Sequence, residues 1–186
     1  MTFKNILELD AELSKNMRIA ENPGKLRSLA AFFAHSGDSW FWAAGLLILW
    51  FLGDTFWKQW AAIQFGAIVI MAAIVLIVKF TVKRKRPEGE WGLMYRSTDP
   101  HSFPSGHAAR SFLIGMMAIF LGPLWLTIIL VIWGPLVALA RVAMGVHYLS
   151  DIIAGGLLGI IGGWIGFAIY PAIYAWFLGW SGLVLW

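Results

Sequence analysis

The chain has no cysteine and few charged residues. Of its 186 residues only 13% are Asp, Glu, Lys or Arg and 60% are hydrophobic, whereas soluble domains carry about 25% charged residues. The lack of cysteine excludes disulfides and thiolate metal sites, and it leaves the redox compartment open. Tryptophan, by contrast, is abundant, with twelve residues, and this side chain is enriched at membrane interfaces. The composition therefore indicates an integral membrane protein.

The N-terminal segment lacks the continuous hydrophobic core of a signal peptide. Its apolar residues recur near helical spacing and predict an amphipathic helix, which either lies on the membrane or packs as a cytosolic cap on the rest of the chain. These residues are Phe3, Ile6, Leu7, Leu13 and Met17. We expect an N-terminal amphipathic segment over residues 1–28 and one helical membrane domain over residues 29–186.

Long uncharged runs predict an all-α, polytopic membrane bundle of about five to six transmembrane helices, because a crossing takes about 20 apolar residues. The predicted spans are residues 39–53, residues 59–78, the two halves of residues 111–140, and residues 152–170. The tail, residues 171–186, is expected to be an interfacial helix or an incomplete sixth crossing. Glycines at helical spacing in residues 152–170 predict close approach of a neighbouring helix.

Three short polar segments fall at the ends of these spans. They are Lys79-x6-Arg86-Pro87, Pro104-Ser105-Gly106-His107 and Arg141-x5-His147-x3-Asp151. In a bundle whose helices alternate in direction, all three segments lie on the same side of the membrane. Residues far apart in the sequence are therefore expected to form one site.

The first segment supplies two cations. If the helix continues to Arg86, Lys79 and Arg86 lie about two turns apart and project from one face. Lys79 lies deep enough to need an anionic partner, and the fork of an arginine suits bidentate phosphate binding. The neighbouring Lys83, Arg84 and Lys85 are interpreted as a basic stop at the end of the span.

The second segment opens a hydrophobic helix. The first backbone N–H groups of a helix are unpaired and favour an anion. Ser105 can cap this helix or donate to a phosphate oxygen, and Gly106 lets the backbone approach a ligand closely. His107 follows directly and makes a simple helix-entering turn the weaker interpretation.

The third segment places His147 and Asp151 four residues apart. On one helical turn the carboxylate can accept the imidazole N–H and fix its tautomer, which leaves the other ring nitrogen free as a nucleophile. Arg141 adds a third cation to the set. An interfacial histidine and an ordinary helix N-terminal aspartate are the structural alternatives.

The three segments in this order resemble the signature of the type 2 phosphatidic acid phosphatase family, which is related to the vanadium haloperoxidases. The resemblance runs from about residue 35 to 165. It implies a hydrolase of lipid metabolism in which His147 attacks phosphorus and forms a phosphohistidine, Asp151 orients His147, and His107 protonates the leaving group. It also implies phosphate binding by Lys79, Arg86, Ser105, Gly106 and Arg141, with no metal and no cofactor.

One position departs from the family pattern, because Ala140 stands where a serine usually precedes the third-segment arginine. This removes one possible hydroxyl contact and leaves both histidines in place. The roles of His101 and His35 stay open. The segment of residues 88–103 is expected to be either a lid for a headgroup or a surface loop.

The leading hypothesis is a membrane lipid phosphatase for a phosphomonoester or diphosphate, with polyprenyl diphosphate the narrow candidate. Phosphatidylglycerophosphate or phosphatidic acid hydrolysis is the alternative, and a lipid phosphotransferase is a second enzyme class. A transporter is disfavoured because the charges gather at one end of the bundle. Halide oxidation with vanadate is disfavoured by a lipid-embedded pocket.

The expected partners are a lipid phosphate or diphosphate and the bilayer. The net charge of +4 suits anionic lipid headgroups, whereas nucleic acid is a poor fit for a chain this apolar. Of the fourteen Lys and Arg residues, only Lys58 falls on the side opposite the motifs. The positive-inside rule then predicts a prokaryotic plasma membrane protein with its site facing the cytoplasm.

Overall fold

The computed structural model describes residues 3–89, 91, 93–182 and 184–185, and these residues contain eight helices. In chain order they are α1 (Phe3–Asn16), α2 (Lys25–Ser36), α3 (Ser39–Leu52), α4 (Thr55–Val82), α5 (Leu93–Thr98), α6 (Gly106–Leu121), α7 (Leu124–Ala143) and α8 (Leu149–Ser181). Within the described ranges, α4, α7 and α8 are long and apolar enough to cross a membrane, and α3 and α6 are shorter apolar helices. The predicted all-α membrane bundle is confirmed.

The loops of the bundle separate into two ends. At one end the α3–α4 and α6–α7 loops meet, since the rings of Trp57 and Trp125 lie 6.4 Å apart. At the other end α1 contacts the start of α8, where the backbone N–H of Leu149 donates to Ser14 Oγ at 2.9 Å. The three motif segments lie at this second end, which we call the motif end.

Helices α6 and α8 pack closely because α8 presents glycine toward α6. A Cβ atom added at Gly155 would lie 2.5 Å from the Ser105 carbonyl oxygen and 3.1 Å from Ala108 Cβ. At Gly163 it would lie 2.7 Å from Met116 Cβ. Real side chains do not fit at such distances, so the backbones touch as the glycine spacing predicts. This contact brings the second motif against the third.

Helix α4 ends earlier than the sequence suggests. Its last residue is Val82, and Lys83 closes it in the left-handed conformation with φ 53° and its N–H bonded to the Lys79 carbonyl. Arg86 therefore lies in the following loop, and the prediction that Lys79 and Arg86 share one helical face is wrong. The loop is held by an isolated antiparallel bridge between Lys85 and His101.

The tail does not form a separate element. Helix α8 continues through Pro171 to Ser181, so most of residues 171–186 extend the last span rather than beginning a sixth crossing. Pro171 is accommodated inside the helix, as prolines in membrane helices often are.

Helix α1 combines the two alternatives weighed for it. Its Asp10 and Ser14 are buried against the bundle, while Ile6, Leu7 and Leu13 on either side of them are exposed. The helix therefore packs on the motif end and also exposes apolar side chains suited to the membrane interface. The division into segments 1–28 and 29–186 stays a prediction.

Candidate active site

Two cations of the first motif meet on one carboxylate. Lys79, in the last turn of α4, forms an ion pair with Asp99 Oδ2. Arg86 donates from Nη2 to the same oxygen at 2.8 Å and from Nε to the Asp99 backbone carbonyl at 2.6 Å. Lys79 and Arg86 are buried, whereas the Asp99 side chain is 39% exposed. The two residues thus converge although they do not share a helix.

The ionisation of this cluster follows from its burial and its charges. Burial would raise the pKa of Asp99, but the hydrogen bond and charge of Lys79, with the charge of Arg86, hold that pKa below its usual value. Burial lowers the pKa of Arg86, and the neighbouring charge of Arg141 acts in the same direction against the opposing effect of Asp99. An arginine remains protonated under these conditions. The cluster therefore holds an anion between fixed cations.

His147 lies directly beside this cluster. Its Nε2 atom is 3.1 Å from Nη1 of Arg86, and the same Nη1 donates to the Val146 carbonyl at 2.9 Å. A guanidinium can only donate hydrogen bonds, so Nε2 is the acceptor and carries no proton. The proton of the neutral ring then resides on Nδ1, which lies 3.5 Å from Asp151 Oδ2. Nε2 is consequently a lone-pair nitrogen facing the cations.

Burial keeps the His147 ring neutral. It lowers the pKa of His147 to about 3, the charges of Arg86 and Arg141 push the same way, and Asp151 opposes them. At neutral pH the ring is therefore neutral, with a proton on one nitrogen only. This is the form that a nucleophilic histidine requires.

Asp151 is positioned by the start of α8 rather than by a shared helical turn with His147. His147 precedes the helix, whose first residue is Leu149, so the predicted placement of both residues on one turn is wrong. Asp151 Oδ2 accepts the backbone N–H of Tyr148 at 2.8 Å. This bond orients the carboxylate of Asp151 toward the imidazole of His147. The two side chains therefore lie close together, as predicted.

The turn before His147 depends on a glycine. Gly145 has φ 69°, a left-handed conformation that disfavours other residues. A Cβ atom there would also lie 2.6 Å from Arg18 Nε. The turn lets the chain leave α7 and direct His147 into the site.

The second motif forms the helix start that the sequence predicts. Ser105 is fully buried, caps α6 and accepts the Ala108 N–H at 3.4 Å. The Ser105 N–H donates to the Asp151 carbonyl at 3.0 Å, which ties the second motif to the third. A Cβ atom at Gly106 would come no closer than 3.5 Å to Val75, so Gly106 has space beside it.

His107 has a partner that the motifs do not contain. Its Nε2 lies 2.8 Å from Asp38 Oδ1, while Oδ2 of the same carboxylate lies 3.1 Å from His35 Nδ1. Arg110 holds the loop that carries Asp38, since Nε donates to the Gly37 carbonyl at 3.0 Å. Burial would raise the pKa of Asp38, but hydrogen bonds from both histidines lower it to about 2. Asp38 therefore meets His107 as a carboxylate.

Arg141 is fully buried near the end of α7 and donates to the Ala34 carbonyl at 3.3 Å. Its charge acts on Arg86 and on His147, and it acts on His107 as well. Arg141 thus connects the second motif with the other two. The adjacent Ala140 packs in a small apolar cluster with Ala34 and Met144.

The structure brings all eight predicted site residues to the motif end, and their individual roles stay predictions. It adds Asp38 and Asp99, which the motif search does not single out. A usable signal exists for both, because the chain has only ten acidic residues and these two stand in polar segments at the motif end. Asp99 also brings part of residues 88–103 to the site, since it forms ion pairs with Lys79 and Arg86.

The remaining histidines lie outside this cluster of side chains. The ring of His101 contacts Phe80, with centroids 5.4 Å apart. His35 reaches the site only through Asp38, and on its other side its ring lies 5.3 Å from that of Trp91.

These features define an integral membrane protein whose helix ends place three buried cations beside a histidine and an aspartate. Residues 60–175 match the family model described as the PAP2 superfamily. The chain therefore belongs to the PAP2 superfamily.

Known relatives agree with this membership. A decaprenylphosphoryl-5-phosphoribose phosphatase of Mycobacterium tuberculosis is 34% identical over 146 residues, which are 76% of this chain and 78% of the relative. A lipid A 4'-phosphatase of Bacteroides thetaiotaomicron is 40% identical over 68 residues, which are 36% of this chain and only 30% of the relative. Both relatives are phosphatases of lipid-linked phosphate by name.

A solved structure shares the fold. The transmembrane PAP2-type phosphatidylglycerolphosphate phosphatase of Bacillus subtilis superposes with a TM-score of 0.72 at 20% identity, covering 91% of this chain and 88% of that one. At this identity the likeness concerns the fold alone.

Proposed function

We propose that this protein is an integral-membrane phosphatase that hydrolyses a lipid phosphomonoester or diphosphate, with polyprenyl diphosphate as the first candidate. Membership of the PAP2 superfamily supports a phosphatase. The mycobacterial relative, which aligns over most of both chains, is named for a polyprenyl-linked phosphate. Because membrane helices end at the site, a lipid substrate can reach it from the bilayer.

The observation that carries the proposal is the alignment of Arg86, His147 and Asp151. Arg86 donates toward Nε2 of His147 at 3.1 Å, and Asp151 faces Nδ1 at 3.5 Å. The arrangement leaves a neutral imidazole whose basic nitrogen points at the place where cations would hold a phosphoryl group. Such an orientation of a nucleophile by a third group is typical of covalent catalysis.

The proposed reaction has two steps. In the first, Nε2 of His147 forms a bond to phosphorus while the bond to the leaving oxygen breaks, and His107 donates a proton to that oxygen. In the second, His107 takes a proton from water, whose oxygen attacks phosphorus and releases inorganic phosphate from His147. The carboxylate of Asp38 stabilises the imidazolium of His107 that begins the first step and is formed again in the second.

The phosphoryl oxygens would be held by Lys79, Arg86 and Arg141, with the N-terminus of α6 at Ser105 and Gly106. Phosphoryl transfer depends mostly on positioning and on positive charge at these oxygens. Three buried cations supply that charge from the protein itself. We therefore propose that hydrolysis does not depend on a divalent metal.

The test is phosphate release in detergent from a panel of lipids, with and without EDTA. The panel contains a polyprenyl diphosphate, a polyprenyl monophosphate, phosphatidylglycerophosphate and phosphatidic acid. We expect release in EDTA, fastest from the polyprenyl diphosphate, and a fall of at least about 1,000-fold in His147→Ala, because loss of a nucleophile removes most of the rate enhancement. Lys85→Met is the control, since Lys85 is exposed at the same end of the bundle, next to Arg86.

Two further measurements separate the alternatives. With ³²P-labelled substrate, a phosphoenzyme that is stable in alkali and labile in acid identifies phosphohistidine. A labelled lipid or sugar product in the presence of an acceptor would instead identify a phosphotransferase. No release from any lipid, or an unchanged rate in His147→Ala, would contradict the proposal.

A further inference from the structure

Arg84 is held by groups from two parts of the chain, α1 and the start of α8. Its Nη1 donates to Asp151 Oδ1 at 2.8 Å and to Ser150 Oγ at 2.6 Å, and its Nη2 donates to Asp10 Oδ2 at 2.7 Å. The guanidinium carbon also lies 4.0 Å from the centre of the Tyr148 ring. Arg84 therefore does more than contribute to a basic stop after α4, whereas the neighbouring Lys85 is exposed.

Asp10 fastens α1 to the start of α8. Its Oδ1 accepts the backbone N–H of Ser150 at 3.0 Å, and its Oδ2 accepts the hydroxyl of the same residue at 2.5 Å. One helical turn further along α1, Ser14 Oγ accepts the N–H of Leu149. The first N–H groups of a helix have no partner inside the helix and favour an anion. Helix α1 thus supplies hydrogen-bond acceptors for the N-terminus of α8, in the turn that carries Asp151.

The two oxygens of Asp151 face different partners. Oδ1 is bound by Arg84, whereas Oδ2 accepts the Tyr148 N–H and faces His147 Nδ1. The terminal torsion of a carboxylate is broad and is not fixed by the backbone. A bond to Oδ1 from a second residue therefore limits how far the carboxylate can turn away from the imidazole.

We propose that Arg84 and Asp10 are positioning residues for the His147–Asp151 pair, an inference that rests on the proposed function. Asp10 holds the guanidinium of Arg84, Arg84 holds Oδ1 of Asp151, and Asp151 orients His147. Neither residue bonds to the phosphate-binding cations Lys79, Arg86 or Arg141. The N-terminal amphipathic helix is accordingly part of the machinery that fixes the nucleophile.

The kinetic test compares Arg84→Met and Asp10→Asn with two matched controls. Lys85→Met removes an exposed cation of the same loop, and Glu12→Gln removes an exposed carboxylate of the same helix. We expect kcat to fall about 100-fold in Arg84→Met, the order of loss that a misplacement of about 1 Å causes, and roughly 10-fold in Asp10→Asn, which leaves Arg84 in place. Arg84→Lys, which keeps a positive charge near Asp151, should recover part of the loss.

The inhibition constant of inorganic phosphate distinguishes positioning from general damage. It should stay within about twofold of wild type in both variants, because the three phosphate-binding cations are unchanged. The double variant should lose less than the two single losses combined, because Asp10 acts in part through Arg84. Equal kcat in Arg84→Met and Lys85→Met, a parallel loss of phosphate binding, or additive losses would overturn the inference.

A spectroscopic measurement makes the inference independent of the substrate. In protein labelled with ¹⁵N-histidine, with the His147 signals assigned by His147→Asn, wild type should show the proton on Nδ1. Arg84→Met should show a mixture of tautomers, and Lys85→Met should not. If the tautomer in Arg84→Met is the same as in wild type, the positioning role is overturned, whether or not any lipid is hydrolysed. If instead the tautomer shifts as expected but the wild type hydrolyses no lipid, only the proposed function is overturned.

Discussion

At the scale of single residues, Asp99 occupies the cations that a phosphate would need. Its Oδ2 bonds to both Lys79 and Arg86, and it is the more exposed partner of the cluster. A phosphoryl group that binds these cations has to displace this carboxylate or share them with it. If the protein has the proposed function, Asp99 competes with substrate and with inorganic phosphate for the same positive charge.

Asp99→Asn should strengthen phosphate binding. An amide keeps the shape of the side chain but lacks the charge, so we expect the inhibition constant of inorganic phosphate to fall by roughly 10-fold, within the range for a hydrogen bond to a charged group. Glu88→Gln, an exposed carboxylate of the same segment, is the control. Unchanged or weaker inhibition in Asp99→Asn would show that the carboxylate assists binding rather than competing with it.

The residues of the motifs can be predicted from the sequence, but the contacts that their partners make with them cannot. Spacing alone gathers Lys79, Arg86 and His147 at one end of the bundle. Asp38 and Arg84 act through contacts that join residues 69 and 67 positions apart, and a single sequence carries no periodicity that reports such contacts. The residues around each of them favour a common structural interpretation, because Asp38 precedes a helix and Arg84 lies in a run of basic residues.

At the scale of the helices, the packing of α6 on α8 decides whether the second and third motifs meet. The glycines of α8 allow the contact, and Gly159 lies about two turns from Asp151. A Cβ atom at Gly159 would lie 2.8 Å from Phe112 Cβ and 2.9 Å from the Leu113 backbone nitrogen. Any side chain there must push the two helices apart.

Gly159→Ala should therefore destabilise the bundle and lower activity together. Overpacking of a tight contact costs about 1–3 kcal/mol, which should appear as a lower melting temperature in detergent and as reduced kcat. Gly179→Ala provides the control, because that glycine lies on the same helix with no atom within 4 Å of an added Cβ. Equal melting temperatures for the two variants would mean that the close contact does not limit stability.

The helices can be predicted from sequence patterns, but the exact end of α4 cannot. The apolar runs predict α4, α6, α7 and α8, because burial in a bilayer demands nearly uniform hydrophobicity. The end of α4 depends instead on a left-handed Lys83 and on a bridge to His101. Pro87 is the visible stop signal, yet the helix ends five residues before it because the loop gains long-range partners there.

At the scale of the whole molecule, positive charge is concentrated at the motif end. Lys58 is the one exception among the fourteen Lys and Arg residues of the sequence, and it follows Trp57 in the cluster of aromatic rings at the other end. The positive-inside rule predicts that the motif end faces the cytoplasm. A lipid phosphate would then be hydrolysed at the inner leaflet.

The absence of cysteine makes this orientation simple to test. Lys15→Cys places a thiol on the exposed side of α1 at the motif end, and Thr55→Cys places one at the opposite end, where Thr55 is also exposed. In intact cells a membrane-impermeant maleimide should label Thr55→Cys only, and permeabilised cells should show labelling of both. Labelling of Lys15→Cys in intact cells would put the site on the outer face.

The bonds between α1 and α8 also set an order for biosynthesis. Asp10 and Ser14 leave the ribosome early, yet their partners Ser150 and Leu149 follow 140 and 135 residues later. At the usual pace of translation this interval lasts on the order of 10 to 30 s. Helix α1 can therefore dock in this position only after the start of α8 has been synthesised.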